Sequence, residues 1–170
     1  MNADQLRALQ APWKERYRND PAQARQTLHA TGCLASDGPG CTVTTPTGPV
    51  GCGLHPATGG DGSSACAAEL LLQALAACAG VTLTAVATAL GIPLRSGTVH
   101  VDGDLDFRGT LGVDKTAPVG FTAIRIRYLL DSDADDAQLA KLTELTERYC
   151  VVYQTLCHAP SLSATWQRTG

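Results

Sequence analysis

The sequence predicts an α+β fold in which an antiparallel sheet packs against one long central helix. Residues 64–90 form an almost uncharged run of Ala, Leu and Val without proline, which is too long for a strand and favours a helix. Residues 98–107 and 121–130 alternate apolar and polar side chains, as strands with one solvated face do. Residues 135–158 then place leucines at helical spacing before Pro160.

The first third of the chain predicts a helix, a hairpin and a loop. Residues 3–25 have apolar side chains at helical spacing, so we expect residues 1–25 to be a helical extension of a single domain that spans 1–170. Residues 26–34 and 41–48 predict a hairpin, because the turn sequence SDGPG separates two stretches rich in β-branched residues. The Gly- and Pro-rich stretch that follows predicts a surface loop.

Capping residues predict where the later elements begin and end. The central helix is expected to start at a cap supplied by Asp61, Ser63 or Ser64 and to stop at Gly91. Asp135 or Asp136 is expected to cap the next long helix. Residues 161–167 predict a short closing strand.

Composition excludes several classes of function. The net charge is −3, from 13 Lys+Arg against 16 Asp+Glu, and without a basic block nucleic acid is not an expected partner. The central run passes the length test for a membrane span, but polar residues interrupt it and no Lys/Arg cluster flanks it. The N-terminus lacks the apolar core of a signal peptide. We therefore expect a cytoplasmic protein without a membrane partner.

Seven cysteines stand out in a chain of this size. Their odd number and the missing secretion signal argue against a disulfide scaffold, and no pair has the close spacing of a zinc site. Cys33 and Cys41 flank the predicted turn and are expected to face each other as reduced thiols. The remaining interpretations are buried, space-filling cysteines or one or two reactive thiols among Cys33, Cys41, Cys52, Cys66, Cys78, Cys150 and Cys157.

Cys78 and Cys150 each lie in an apolar frame on or beside a predicted helix. A thiol peroxidase requires two such thiols that meet, because one becomes a sulfenic acid and the other condenses with it to a disulfide. A free thiol is only a few per cent thiolate at pH 7, so the attacking cysteine needs a positive or hydrogen-bonding neighbour. An apolar helix alone would raise its pKa.

Four segments carry a resemblance to a known family. They are HPATGGDG at 55–62, AELLLQALAAC at 68–78, DFRGTLGVDK at 106–115 and ERYCVVYQTL at 147–156. Together they resemble the OsmC/Ohr superfamily of hydroperoxide reductases, and the OsmC-like branch more than the dedicated organic hydroperoxide resistance proteins. The resemblance implies an intertwined homodimer in which a curved antiparallel sheet wraps two long central helices, with both active sites at the interface.

The resemblance also implies roles for individual residues. Cys78 matches the peroxidatic thiol, Cys150 the resolving thiol, and Glu69 the glutamate of the family. It implies a hydroperoxide substrate and an external dithiol or lipoyl-type reductant, with no bound cofactor or metal. Nine residues separate Glu69 from Cys78, so on one straight helix they point to opposite sides. Glu69 then precedes the helix, serves the partner's site, or caps the helix N-terminus.

The chain departs from the family pattern at two positions near the site. Leu34 stands where the hydroperoxide resistance branch has an arginine, and Arg25 is the nearest cation upstream. Val151 stands where the family often has the proline that opens a new helix after the second thiol. Cys157 is a rival resolving thiol, since it lies seven residues after Cys150 on a continued helix. The alternative function is a non-catalytic module that binds a small apolar molecule at the dimer interface.

Overall fold

Five α-helices and six strands form in residues 1–169, the part of the chain that the computed structural model describes. The helices are α1 (Ala3–Asn19), α2 (Ala67–Leu90), α3 (Phe107–Thr110), α4 (Asp136–Tyr149) and α5 (Val151–Cys157). The strands are β1 (Gly32–Leu34), β2 (Cys41–Thr45), β3 (Gly48–Gly53), β4 (Ala65–Cys66), β5 (Ser96–Leu105) and β6 (Phe121–Asp131). The predicted α+β class is confirmed.

The strands of one chain form two sheets. β1, β2, β3 and β4 lie side by side in that order, and β5 pairs with β6 in a separate antiparallel hairpin. The β1–β2 and β2–β3 pairs are antiparallel as predicted, whereas β4 runs parallel to β3. The loop between β3 and β4 turns back tightly, so that β4 runs parallel to β3. A Cβ added at Gly60 would lie 1.8 Å from the Leu54 carbonyl oxygen, which shows how closely the loop backbone packs on itself. The antiparallel sheet predicted for this fold is therefore divided within a single chain.

Helix α2 begins later than the sequence predicted. Its N-cap is Cys66, which makes no side-chain capping hydrogen bond, so a cap by Asp61, Ser63 or Ser64 was wrong. Ser63 instead donates from its amide and its hydroxyl to Asp61 Oδ1, at 2.9 and 2.6 Å, within a turn that precedes β4. The other end is as predicted, because Gly91 has a φ of 69° and donates its N–H to Ala87.

One stripe of α2 provides the centre of the core. Leu75, Ala79, Leu83 and Ala87 are at most 3% exposed and recur every four residues, on one face of the helix. The other sides are more open, and Val81 is 71% exposed. Within residues 1–169, α2 is the one helix long and apolar enough to cross a membrane, a test that the core helix of a soluble protein also passes.

The α2 stripe packs on two groups of residues. Leu83 and Ala87 form one buried cluster with Ile92 and Leu142, and Leu75 and Ala79 form a second cluster with Cys150. Tyr128 on β6 packs against both clusters. The β5–β6 hairpin and the α4–α5 segment therefore meet on the same face of α2.

The C-terminal third departs from the prediction at two points. Asp135 caps α4 in a capping box with Gln138, as expected, but the helix does not continue to residue 158. It ends at Tyr149, and α5 begins at Val151 after a break at Cys150. Residues 161–167 form no strand, because none of the strands in the described chain pairs with them.

Two N-terminal elements are shorter than the sequence predicted. The first helix stops at Asn19, where Asp20 leads into a 3₁₀ turn at Pro21–Ala24. The strand predicted for 26–34 is confined to Gly32–Leu34, because β2 pairs with that portion only. The register sets Cys33 opposite Thr42, so the expectation that Cys33 faces Cys41 was wrong.

Opposite charges line the outer face of the β5–β6 hairpin, as the alternation predicted. Arg125 Nη2 lies 2.8 Å from Asp104 Oδ1, and Arg127 Nη2 lies 3.6 Å from Asp102 Oδ2. All four side chains are at least half exposed. Water screens such pairs, so they contribute little stability and chiefly keep this face solvated. We call this set the charge ladder.

We expect Tyr128→Phe to preserve or raise stability. The Tyr128 hydroxyl is buried and has no hydrogen-bond partner among the described residues. Burial, with the charge of Glu147 as a further cause, raises the pKa of Tyr128 to about 12. Removing an unpartnered buried hydroxyl should increase the free energy of unfolding by up to about 1 kcal/mol in urea titrations. Tyr149→Phe is the control, because Tyr149 is exposed, and it should leave the free energy of unfolding unchanged. A loss of stability in Tyr128→Phe would instead show that the Tyr128 hydroxyl has a hydrogen-bond partner.

Candidate active site

The structure brings the two predicted thiols together. Cys78 lies on α2 and packs against the buried cluster that contains Cys150. Cys150 is fully buried, whereas Cys78 is only partly buried. Two thiols that are 72 positions apart in the sequence therefore share one site, with Cys78 on its more accessible side.

The break between α4 and α5 positions Cys150. Its own N–H donates to the Thr146 carbonyl at 2.9 Å and closes α4, while Tyr153 N–H donates to Cys150 Sγ at 3.5 Å at the start of α5. Cys150 is thus the C-cap of one helix and the N-cap of the next. A new helix begins here although the proline is absent, because Val151 occupies the first position of α5.

Hydrogen bonds stabilise the thiolate form of Cys78. Burial acts to raise the pKa of Cys78, but the backbone N–H groups of Val152 and Val151 and the side chains of Cys150 and Thr82 outweigh it, so the pKa lies below its usual value. Val151 can contribute because, unlike a proline, it retains its N–H. No cation is among the main groups that lower this pKa.

The pKa of Cys150 moves in the opposite direction. Burial raises it, and the hydrogen bond from the Cys150 thiol to Cys78 raises it further, because that bond is lost when Cys150 ionises. Cys78 is therefore the thiol of the pair that ionises more readily, and Cys150 is the one that retains its proton to higher pH. This arrangement provides an accessible nucleophile and a buried second thiol that can react with its oxidised product.

Glu69 does not join this site within one chain. The structure places it in the first turn of α2, so it does not precede the helix. Nine residues correspond to about 14 Å along the helix axis and half a turn about it, which separates Glu69 from Cys78. Its carboxylate lies 4.0 Å from His55 Nε2 and is well placed to stabilise the helix N-terminus. A place in the partner's site is the other remaining alternative.

None of the remaining candidate residues belongs to the cluster that packs around Cys78 and Cys150. Arg25 follows the 3₁₀ turn and is exposed, and Leu34 on β1 is 86% exposed. Cys157 is exposed at the end of α5, where its hydrogen bond with Tyr153 is one cause of that tyrosine's raised pKa, after burial and the Glu147 charge. About 10 Å of helix separates Cys157 from Cys150.

Sequence reasoning missed three groups that contact Cys78. Thr82 lies four residues after Cys78, and helical spacing alone would have identified it as a neighbour. The N–H groups of Val151 and Val152 gave no such signal, because they point at the thiol only when the helix breaks at Cys150. Neither proline nor glycine marks that break in the sequence.

A cavity of about 710 Å³ adjoins the buried cluster of Leu75, Ala79 and Cys150 through Leu75, and Cys157 is the cysteine that lines it. Its walls come from α2, β6 and α5 and include Leu75, Ile124, Tyr153 and Leu156. The cavity is partly open to solvent and its walls are of mixed polarity, with Glu147 as its one charged lining residue. Its size is that of pockets that bind small organic molecules.

Comparisons with known proteins agree with this fold. The profile of the family described as "OsmC-like protein" matches residues 60–165. An OsmC-like protein from Mycoplasma pneumoniae superposes with a TM-score of 0.66 at 19% identity, covering 79% of this chain and 89% of that one. Among curated proteins no significant sequence match is found.

Two further solved structures have names that mention hydroperoxides. An organic hydroperoxide resistance protein OsmC from Legionella pneumophila has a TM-score of 0.61 at 17% identity, covering 78% of this chain and 90% of that one. An organic hydroperoxide resistance protein from Elizabethkingia anophelis has a TM-score of 0.61 at 15% identity, covering 79% and 93%. At these identities the likeness establishes the fold.

We expect Val151→Pro to raise the pKa of Cys78. Cys150 has φ −74° and ψ 111°, a conformation that a following proline accepts, so the fold should persist while one N–H donor is lost. The pH midpoint of Cys78 alkylation, read by mass spectrometry, should lie below the free-thiol value of about 8.5 in the wild type and move up in the variant. Val151→Ala keeps the N–H and is the control. Equal midpoints in the proline and alanine variants would show that this donor does not act.

Proposed function

Because the chain belongs to the OsmC-like protein family, we propose that it is a thiol-dependent peroxidase that reduces organic hydroperoxides in defence against oxidative stress. The observation that carries this proposal is the pairing of Cys78, an accessible thiol of lowered pKa, with Cys150, a buried thiol of raised pKa. Relatives of the same fold are named organic hydroperoxide resistance proteins, which agrees with that chemistry.

The first half-reaction consumes the hydroperoxide. The Cys78 thiolate attacks the terminal oxygen of ROOH, the O–O bond breaks, and the alkoxide takes a proton and leaves as ROH. Cys78 is then a sulfenic acid. Cys150 attacks that sulfur, a Cys78–Cys150 disulfide forms, and the hydroxyl leaves as water. The contact between the two residues means that only a small local movement is needed.

The second half-reaction restores both thiols and takes its electrons from outside the protein. One sulfur of a small dithiol, such as a lipoyl-type group, attacks the disulfide and releases one protein thiol. The other sulfur of the dithiol then displaces the second protein thiol, and the dithiol leaves as a cyclic disulfide. In this scheme the protein needs no bound cofactor. The cavity of about 710 Å³, which Leu75 of the Cys150 cluster helps to line, offers room for an apolar substituent of the hydroperoxide.

The proposal includes a cytoplasmic homodimer. The flank of α2 opposite the buried stripe carries Val81, which is 71% exposed, and a second copy packed there would cover it. In such a dimer Glu69 would contribute to the active site of the partner copy. Within its own chain it lies too far from Cys78 to take part in that site. Sedimentation of the chain as a monomer at micromolar concentration would contradict this part.

An alternative function is a non-catalytic module that binds a small apolar molecule. The cavity favours it, and so does the lack of a cation among the main causes that lower the pKa of Cys78. In that case Cys78 should alkylate slowly, with a pH midpoint near that of an ordinary thiol. Rapid alkylation at pH 6 would exclude the alternative.

We expect Cys78→Ser to abolish hydroperoxide consumption. A serine hydroxyl is not ionised at neutral pH, so the attacking group is lost while the size of the side chain is nearly unchanged. The measurement is the disappearance of an organic hydroperoxide in the presence of excess dithiol, compared with wild type. The variant should match the protein-free rate, and equal rates in the variant and the wild type would refute the proposal.

Replacing the second thiol should separate the two half-reactions. In Cys150→Ser we expect one rapid turnover followed by accumulation of the Cys78 sulfenic acid, which a cyclic diketone reagent traps. Serine remains a good N-cap and can still donate to Cys78, so the thiolate should persist. The matched control is Cys157→Ser, which should turn over normally. If Cys157→Ser instead accumulated the sulfenic acid while Cys150→Ser turned over normally, Cys157 would be the resolving thiol.

A further inference from the structure

Four of the seven cysteines lie on the β1–β4 sheet, and its register separates them into unlike positions. Cys41 on β2 is directly opposite Cys52 on β3. Cys33 is opposite Thr42, and Cys66 is opposite Gly53. Side chains alternate between the two faces of a sheet, so Cys33 and Cys66 each point to the face away from the nearby member of the opposed pair. Of these four cysteines, only Cys41 and Cys52 are direct cross-strand partners with side chains on the same face of the sheet.

The type of rung follows from the neighbouring hydrogen bonds. Thr44 N–H donates to Thr31 O on the β1 side at 3.2 Å, and its partner Pro49 has no N–H, so Thr44 and Pro49 form a non-hydrogen-bonded pair. Hydrogen-bonded and non-hydrogen-bonded pairs alternate along an antiparallel ladder. The Cys41–Cys52 pair lies three positions from Thr44–Pro49 and is therefore a hydrogen-bonded pair. Its Cα atoms are then about 5.5 Å apart, within the range of about 4.4–6.8 Å that disulfides span.

A disulfide on this rung would form with some strain. The Cβ atoms of a hydrogen-bonded pair lie toward the far end of the cross-strand range, about 5.5 Å, whereas a disulfide prefers about 3.8 Å. The strands must therefore draw together slightly when the bond closes. Strained or accessible disulfides are the readily reduced ones, so this rung suits a reversible bond better than a permanent one.

Both thiols can be reached from solvent. Cys41 and Cys52 are partly buried and line the same open cavity of about 460 Å³, next to Leu34 and Leu54. Gly32 lies beside Cys41 on this face, and a Cβ there would come within 2.8 Å of Cys41 Sγ. The Cys41 sulfur therefore occupies the space that the missing Gly32 side chain leaves on the β1 side, and closure requires it to rotate toward β3.

From these observations we propose that Cys41 and Cys52 form a second redox site, a cross-strand dithiol that exchanges with low-molecular-weight disulfides. The thiolate of one cysteine attacks the small disulfide, forms a mixed disulfide and releases one thiol. The other cysteine then attacks the protein sulfur, closes the Cys41–Cys52 bond and releases the second thiol. The protein loses two hydrogens, which the small disulfide gains.

This site is independent of the proposed peroxidase chemistry. Its thiols lie on the β1–β4 sheet, whereas Cys78 and Cys150 lie on α2 and at the α4–α5 break. Closure would link the two strands at the open end of their hairpin, at the opposite end from the turn between Thr45 and Gly48. Oxidation of Cys41 and Cys52 should therefore be unaffected in Cys78→Ser, which separates failure of this proposal from failure of the other.

The test is to incubate the full chain, wild type and Cys78→Ser, with oxidised glutathione and then to alkylate the remaining thiols. Cleavage on the amino side of Asp37 and Asp61 releases peptide 37–60, whose only cysteines are Cys41 and Cys52. We expect that peptide to lose two hydrogens and to take no alkyl group in both proteins. An excess of reduced glutathione should restore two alkylatable thiols.

The chain supplies its own controls. Cys33, alone in peptide 20–36, has no thiol opposite it and should be either alkylated or joined to one glutathione, and Cys66→Ser should leave the closure of peptide 37–60 unchanged. Cys52→Ser should leave Cys41 as a stable mixed disulfide with glutathione. Two alkyl groups or two glutathione adducts on wild-type peptide 37–60 would overturn the proposal, and so would a cross-link from it to another peptide.

Discussion

The break in the C-terminal helix at Cys150 is the constraint on which the thiol site depends. An unbroken helix would satisfy its backbone internally and would present no N–H groups to Cys78. A thiol in an apolar frame without donors has a raised pKa, which is the wrong direction for a nucleophile. Because α4 ends and α5 begins at one residue, Val151 and Val152 have free N–H groups beside Cys78. The activation of one thiol therefore follows from the backbone around the other.

The packing of α2 makes that arrangement possible. Ala79 is fully buried one turn beyond Leu75, and its small side chain lets the α4–α5 segment approach the helix closely. The β5–β6 hairpin packs on the same face of α2, where a Cβ at Gly103 would lie 3.1 Å from a side-chain carbon of Leu72. Since these contacts involve small or absent side chains, the position of the site depends on how closely the α4–α5 segment and the hairpin approach α2.

Periodicity in the sequence predicted what depends on local pattern. The α2 span, the β5 and β6 alternation and the Asp135 cap were predictable, since each is encoded by neighbouring residues. The predictions that failed concern features that depend on long-range strand pairing or on competing local hydrogen bonds. Asp61 was expected to cap α2 but is used by its own turn.

The thiol pair shows the same division. Family motifs were needed to connect Cys78 with Cys150, because the 71 intervening positions carry no signal of contact. The direction of each pKa shift depends on N–H groups that only the folded chain aims at Cys78. Likewise Cys41 was expected to face Cys33, yet the strand register, which the sequence does not display, sets it opposite Cys52.

The charge ladder has a consequence for how fast molecules reach this protein. Each Asp–Arg pair on the β5–β6 face is an exposed dipole whose field fades within the screening length of about 8 Å at physiological salt. With a net charge of only −3, the chain has a weak long-range electrostatic field and does little to steer a charged molecule toward it. Encounter should therefore proceed by unassisted diffusion at a rate nearly independent of ionic strength, which suits a reactant that is itself uncharged.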